Sequence, residues 1–297
     1  MCMADKQRGV LFAVSASLMF GLSPVFVRLV LDFVNVATMN VLLTAFASLC
    51  FVVTFIAFRK AAYFRSIFGN WRRVGLMSLF SAVGSLLYTY GISLYGPVNA
   101  TFLVQFTAVF TILFGVVFFK ERFTRLEGAG ILVAVVGVFV LAYGNLSLEI
   151  MGTLVLLGAA LLFALANSLS KVYVKNVNAV ALAGGNAIFV LLFISVFAVL
   201  SGRLETTFPS ITLLYAFLGA VTGVVLSFVL FFKALEICKV TKTATIRTME
   251  PFLTAVFSFI ILALPTTDNQ LMGGVLIVIG VVTLNLSREN EAVRRKP

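Results

Sequence analysis

Ten apolar runs, each about 20 residues long and joined by connections of a few residues, constrain this chain more than any other feature. A hydrocarbon layer of roughly 30 Å has to be crossed by a structure that pairs its own backbone groups. A helix rising about 1.5 Å per residue does so over such a run. The limits read from the sequence are 9 to 31, 36 to 58, 74 to 95, 98 to 119, 126 to 144, 152 to 174, 179 to 200, 211 to 236, 242 to 264 and 270 to 287. Composition excludes the soluble alternative: with 61% of residues hydrophobic and 11% charged, the chain carries more apolar surface than one core could bury. The expected class is all-α, a polytopic membrane protein of ten transmembrane helices. Lys6 and Arg8 precede the first run, which lacks a small-residue cleavage site, so that run is expected to be a span rather than a removed signal peptide.

The net charge of +11 raises the question of nucleic acid, which would need the basic residues gathered on one exposed face. Here they sit between the apolar runs. With the N-terminus inside, nineteen of the 22 basic residues fall on the inner side. Arg203 alone lies in an outer loop, Arg28 and Arg247 fall within spans, and Asp32, Glu149, Glu205 and Asp268 mark the other outer connections. This positive-inside pattern accounts for the charge without nucleic acid and places both termini in the cytoplasm, as in a prokaryotic inner membrane. The lone tryptophan, Trp71, stands beside Arg72 and Arg73 in the manner of an interfacial anchor.

A shift of 143 residues superimposes the two halves of the chain at both ends. Gly9 meets Gly152, Ala16 meets Ala159, Phe20 meets Phe163 and Asn35 meets Asn178. Further on, Thr111 meets Thr254, Phe114 meets Phe257, Gly130 meets Gly273, Gly137 meets Gly280 and Leu141 meets Leu284. Arg28 falls on Lys171, while the middle helices match poorly. Five spans per half is an odd number, so the second half enters the membrane from the opposite side and the repeats are inverted. Two such bundles can exchange conformations around a site at their interface. The expected organisation is a cytoplasmic N-terminus at 1–8, repeats at 9–144 and 152–287, and a basic tail at 288–297.

The stretch from Ala100 to Gly137, ATFLVQFTAVFTILFGVVFFKERFTRLEGAGILVAVVG, holds a Lys120-Glu121-Arg122 turn followed by Gly130 and Gly137. In the second half Ala234-Leu235, Glu250-Pro251 and then Gly273, Gly274 and Gly280 repeat the pattern. With these features the chain resembles the EamA branch of the drug/metabolite transporter superfamily over nearly its whole length. It departs from the family at Ala263-Leu264-Pro265-Thr266-Thr267, where a second Gly-Glu turn is usual. The resemblance implies ten helices around a central cavity and transport of small solutes such as amino acids, other metabolites or amphiphilic drugs. The motifs themselves are structural, since glycines let helices approach closely and the Lys-Glu-Arg turn caps a helix.

Polar residues inside spans are the candidates for contact with cargo. Arg247 and Glu250, spaced i, i+3, share a helix face with Thr243, Thr254 and Ser258. That stripe should look into the bundle, as a cavity wall offering a guanidinium and a carboxylate or as a salt bridge holding a helix bent by Pro251. Gln105, Thr107 and Thr111 form a matching set on the fourth run, with Thr107 and Thr111 the repeat equivalents of Glu250 and Thr254. Ser85 and Tyr88 belong to a hydroxyl-rich face, Ser78 to Ser93, that equally suits tight packing. Asn40, Asn167 and Asn186 are cavity donors or interhelical ties. Arg28 and Lys171, near the ends of their helices, are gate candidates or snorkelling side chains, and Ser23-Pro24 is a candidate kink near Arg28. Phe228 and Phe231 are weaker candidates for apolar walls.

Cys2, Cys50 and Cys238 show no metal-like spacing and the chain has no histidine, so no metal or cofactor is expected. The same absence argues against an intramembrane enzyme, which would also want paired carboxylates in the membrane. A channel would want rings of like residues. A lipid scramblase is the other rival. The expected function is therefore a secondary transporter of a small zwitterionic or amphiphilic, amino-acid-like metabolite by alternating access. Its partners are that substrate and the bilayer; the sequence leaves the oligomeric state open, and a monomer is compatible with it.

Overall fold

The computed structural model describes residues 3–119, 123–141, 146–173, 178–237 and 240–294, which are helical throughout their secondary structure and include no strand. In chain order the helices are α1 (Met3–Leu31), α2 (Val36–Ala57), α3 (Ala61–Gly69), α4 (Trp71–Val104), α5 (Phe106–Phe119), α6 (Arg125–Leu141) and α7 (Leu146–Tyr173). They are followed by α8 (Ala179–Leu200), α9 (Ser210–Ala220), a π-helical segment (Val221–Leu226), α10 (Ser227–Ile237), α11 (Val240–Arg247), α12 (Glu250–Leu262) and α13 (Asp268–Arg294). Among the described residues, eight stretches are long and apolar enough to cross a membrane, and Phe106–Phe118 is a shorter apolar helix. Side chains such as Phe58, Phe139, Leu200 and Ile260 are largely exposed, a surface suited to lipid rather than water.

Four of the expected runs do not form separate regular helices. The third and fourth are joined in α4, which bends at Gly96 (φ 80°, ψ 165°) ahead of Pro97. The left-handed φ there is open to glycine and costly for a residue with a Cβ. The fourth run then breaks at Gln105 and resumes as α5. The ninth run breaks at Thr248 and Met249, between α11 and α12. The eighth contains the π-helical segment, where Gly223 leaves room for Ser23 of α1, whose hydroxyl donates to Gly219 O at 3.1 Å. Pro24 lies within α1, which remains helical to Leu31.

Repeat-related residues start α2 and α8. The side-chain oxygens of Asn35 and Asn178 accept from Thr38 N and Val180 N, each at 2.9 Å, and so satisfy donors that a helix start leaves open. Thr124 and Glu127 close the start of α6 as a capping box, Thr124 N donating to Glu127 Oε2 (2.8 Å) and Glu127 N to Thr124 Oγ1 (3.1 Å). The Lys120-Glu121-Arg122 turn expected to cap this region lies outside the described residues.

The helices assemble in crossed pairs: α1 packs on α10 and α12, α7 on α4 and α5, α4 also on α8, α2 on α8 and α9, and α6 on α13. The α6–α13 contact is backbone against backbone. A Cβ on Gly130 would stand 2.9 Å from Gly280 O, and one on Gly137 would stand 2.7 Å from Gly273 O. As the number on one helix rises the number on the other falls, so the two helices run antiparallel. At one end of the bundle the α1–α2 turn is tied to the loop after α8. Asn35 Nδ2 donates to Arg203 O (2.8 Å), Asn35 N to Glu205 Oε2 (3.0 Å), Thr38 Oγ1 to Arg203 O (3.2 Å) and Glu205 N to Thr38 Oγ1 (2.9 Å).

Candidate functional site

A cavity of about 380 Å³ lies among α2, α4, α7, α8 and the π-helical segment with α10. Leu43, Thr44, Ala47 and Phe51 come from α2; Met77, Ser81 and Ser85 from α4; Phe163, Ala166, Asn167 and Ser170 from α7. Leu182, Ala183, Asn186, Ala187 and Val190 of α8, with Val224 and Phe228, complete it. Each helix turns the same face to the space through i, i+3 or i, i+4 spacing, as with Ser81 and Ser85 or Asn167 and Ser170. Among the described residues the polar wall consists of hydroxyls and carboxamides, and no described lining side chain is charged. Asn186 Oδ1 is buried and has no hydrogen-bond partner among the described residues. An acceptor left in that state costs about 1–3 kcal/mol, which a donor on a bound molecule can recover.

Of the residues singled out in the sequence, Ser85, Asn167, Asn186 and Phe228 line this cavity. Arg247 and Glu250 do not, and stand one aromatic layer behind it. Phe228 is in the wall; Phe20 meets it edge-on at 5.4 Å, and the Arg247 guanidinium lies 4.4 Å from the Phe20 ring and 5.6 Å from Phe231. Arg247 Nε donates to Glu250 Oε2 at 3.3 Å, with 42% of the arginine side chain exposed against 10% of the glutamate. Tyr88 stands within electrostatic reach of both charges and meets the cavity residue Phe163 edge-on at 6.2 Å.

The charged pair straddles the break in the ninth run. Arg247 ends α11 and Glu250 starts α12, with Pro251 in its first turn. A cation at a helix C-terminus and an anion at a helix N-terminus each complement the local dipole, and proline at the start gives up an N–H that has no partner in the helix. The break in the fourth run is its counterpart. Gln105 N donates to Phe102 O at 3.3 Å, and Thr248 N to Thr245 O at 3.2 Å. Residues 102 and 105 fall on 245 and 248 under the 143-residue shift, so the two interruptions occupy corresponding positions.

Comparison with known families decides what kind of protein carries this arrangement. The profile of the EamA-like transporter family matches the chain twice, over residues 7–143 and 150–286. The chain belongs to the EamA-like transporter family. Residue 150 is 143 beyond residue 7, and 286 is 143 beyond 143, so the two matches carry the same register as the internal repeat. This family is part of the drug/metabolite transporter superfamily, and together with the long apolar helices it marks the chain as an integral membrane protein. An uncharacterized transporter of Methanothermobacter thermautotrophicus is 26% identical over 215 residues, 69% of this chain and 62% of that protein, so the alignment spans less than two thirds of the relative's length. A solved crystal structure, 16% identical, superposes with a TM-score of 0.67 over 95% of this chain and 98% of its own, a likeness of fold.

The remaining sequence candidates whose side chains are described lie outside the cavity lining of this EamA-like chain. Thr254 is buried and donates to Gly21 O (2.9 Å) and Glu250 O (3.1 Å), at a crossing so close that a Cβ on Gly21 would meet Leu253 Cβ at 2.9 Å. Asn40 donates to Val36 O (2.8 Å) and accepts from Thr89 Oγ1 (3.3 Å), which ties α2 to α4. Gln105 marks the α4–α5 break, and Thr107 O accepts from Thr111 Oγ1 at 2.7 Å. Arg28 makes a partly exposed i, i+4 ion pair with Asp32 at 2.6 Å. The side chain of Lys171 lies outside the described residues. Thr44 and Ser170 line the cavity without having been singled out. Each lies one helical turn from a conspicuous residue, Thr44 from Asn40 and Ser170 from Asn167, and that spacing is the signal by which they were findable.

Proposed function

We propose that this transporter moves a small amphiphilic metabolite, one with an apolar body and N–H or O–H groups, by alternating access through ten crossings arranged as two inverted five-helix repeats. The buried Asn186 Oδ1, unpartnered among the described residues, in a described wall of hydroxyls and carboxamides carries the cargo assignment. A fixed full charge would need compensation that this wall does not supply, whereas hydrogen-bonding groups find partners there. Ser85, Asn167 and Asn186 form the binding wall, with Thr44, Ser81 and Ser170 beside them.

Several observations support the inverted architecture. Exchange of the halves by the 143-residue shift turns the α1–α10 pair into α7–α4, turns α1–α12 into α7–α5 and α2–α9 into α8–α4, and returns α2–α8 and α6–α13 to themselves; all of these pairs are packed. Antiparallel packing of the repeat-related helices α6 and α13 is what opposite insertion demands. Interrupted helices at corresponding positions of the two halves are a recurrent mark of transporter sites. In this reading the polar tie between the α1–α2 turn and the loop after α8 closes the outer mouth, and both termini are cytoplasmic. Arg28 sits beside that tie, and Lys171, its repeat counterpart, lies at the opposite end. Arg247, Glu250 and Tyr88 form a polar layer behind Phe20 and Phe228 that couples the α11–α12 break to the cavity.

A zwitterionic, amino-acid-like cargo is the second reading, favoured by the partly exposed Arg247 guanidinium, which a carboxylate could engage. Counterflow of labelled metabolites in proteoliposomes separates the two. Saturable exchange of an uncharged amphiphile, with half-saturation raised in N186A and unchanged in R247Q, supports the first. Exchange of amino acids with loss of cargo affinity in R247Q supports the second. Unsaturable ion uptake with no exchange would make the protein a channel, and loss of lipid asymmetry without exchange a scramblase.

A further inference from the structure

Arg59, Lys60, Arg65, Arg72 and Arg73 surround α3, and all five side chains are exposed. No aspartate or glutamate occurs between Asp32 and Glu121, and none of the five makes an ion pair with a described carboxylate. Exposed aromatic side chains stand among them: Phe58, Phe68 and Trp71, with Arg72 lying 5.4 Å from the Trp71 ring. Water suits these rings poorly and hydrocarbon suits the guanidinium groups poorly. The headgroup zone of a bilayer suits both.

The opposite face of α3 is firmly seated. Ile67 is fully buried against α8, where a Cβ on Gly185 would meet it at 3.1 Å. Phe55 of α2 packs against Gly184 and takes Tyr63 and Phe64 edge-on at 5.3 and 5.5 Å. The neighbouring α8 residues Leu182, Ala183 and Asn186 line the cavity. The basic face is thus fixed in position relative to the bundle, unlike a basic tail.

We propose that α3 and its flanks form a binding site for the phosphate headgroups of anionic phospholipids, held against the α8 wall of the cavity. The guanidinium groups of Arg65, Arg72 and Arg73 supply forked donors for phosphate oxygens, Arg59 and Lys60 add charge, and Phe68 and Trp71 set the depth. The assignment rests on local charge and packing and holds whatever the cargo is.

Trp71 is the one tryptophan of the chain and reports on this site directly. The full-length protein is reconstituted in phosphatidylcholine bilayers containing equal mole fractions of either brominated phosphatidylcholine or brominated phosphatidylglycerol, and quenching of Trp71 is compared. The expected result is stronger quenching by the brominated anionic lipid, equivalent to a local enrichment of about fivefold, which shrinks as salt is raised. In R65Q/R73Q, which leaves Arg72 over the reporter, the preference falls most of the way to unity, and R65K/R73K retains most of it. Equal quenching by the two lipids in the wild-type protein overturns the proposal whether or not the variants fold. So does a preference that survives both high salt and R65Q/R73Q.

Discussion

At the α6–α13 crossing the two halves of the chain touch backbone to backbone, through Gly130, Gly137, Gly273 and Gly280, the same residue type in both copies. At the interrupted helices they share a backbone shape but not its chemistry. The break after α4 holds Gln105 with Phe106 and Thr107 following; the break after α11 is flanked by Arg247 and Glu250. A contact made by carbonyl oxygens against Cα atoms leaves no space for a methyl group in either half, so it keeps the repeat. A turn closed by one i to i−3 hydrogen bond constrains the main chain and leaves the side chains free to diverge. Symmetry persists where it holds the helices together, and it lapses in the side chains at the interrupted helices.

The largest expected effect tests the first half of that contrast. Gly137→Val and Gly273→Val each drive a branched side chain into facing backbone and should cost about 3 kcal/mol or more, abolishing the monodisperse peak in detergent size-exclusion chromatography. Gly69→Ala, with nothing within 4 Å of its added Cβ, should leave that peak unchanged. Normal yields from both valine variants would show that the crossing tolerates separation. The next effect falls on function. Arg247→Gln and Glu250→Gln should lower the exchange rate on the order of tenfold, about 1.4 kcal/mol, while folded yield holds; under the uncharged-cargo reading half-saturation stays near wild type. Thr107→Ala, at the counterpart of Glu250, should change little. If Thr107→Ala proved as damaging as Glu250→Gln, the two breaks would be functionally alike and the contrast would fail.

A smaller effect is expected in the cavity itself. Asn186→Ala should raise the half-saturation concentration for exchange about fivefold, the loss of roughly 1 kcal/mol of hydrogen bonding, with no loss of thermal stability because Oδ1 has no partner among the described residues to lose. A stability loss without a change in half-saturation would remove Asn186 from the binding wall. The smallest effect concerns the polar tie. Thr38→Val removes the hydroxyl that both donates to Arg203 O and accepts from Glu205 N. It should favour opening of that end by about 0.7 kcal/mol, read as roughly threefold faster labelling of a cysteine placed beneath it in a cysteine-free background. Unchanged labelling would mean that the tie does not oppose opening.

Much of the helix plan was legible in the chain. The expected limits of 36 to 58 and 179 to 200 compare with α2 at Val36–Ala57 and α8 at Ala179–Leu200, because lipid demands apolar length and Asn35 and Asn178 mark the starts. Asn167, Asn186 and Ser85 were visible as polar groups where hydrocarbon would reject them. The interruptions were not legible. Apolar composition is the same on either side of Gln105, and the pattern around Arg247 and Glu250 reads as one continuous stripe. Whether a helix continues through such a point depends on what fills the space beside it, as Phe102 and Phe252 do by meeting edge-on at 5.3 Å between the two broken runs.

The amino-acid order by itself determined that the chain is helical and lipid-embedded, that its first half recurs 143 residues later, and which glycines would permit close approach. These follow from local composition and spacing, which act along the chain before any long-range contact forms. Only the tertiary structure decided that the described cavity wall is built of hydroxyls, carboxamides and apolar groups and that Thr254 and Asn40 bond to neighbouring helices. It also decided that the Arg247–Glu250 pair stands behind Phe20 and Phe228 and not in the wall. The reason is rotational: a helix presents every polar residue to some direction, and which direction faces the cavity is set by the crossings of helices distant in sequence.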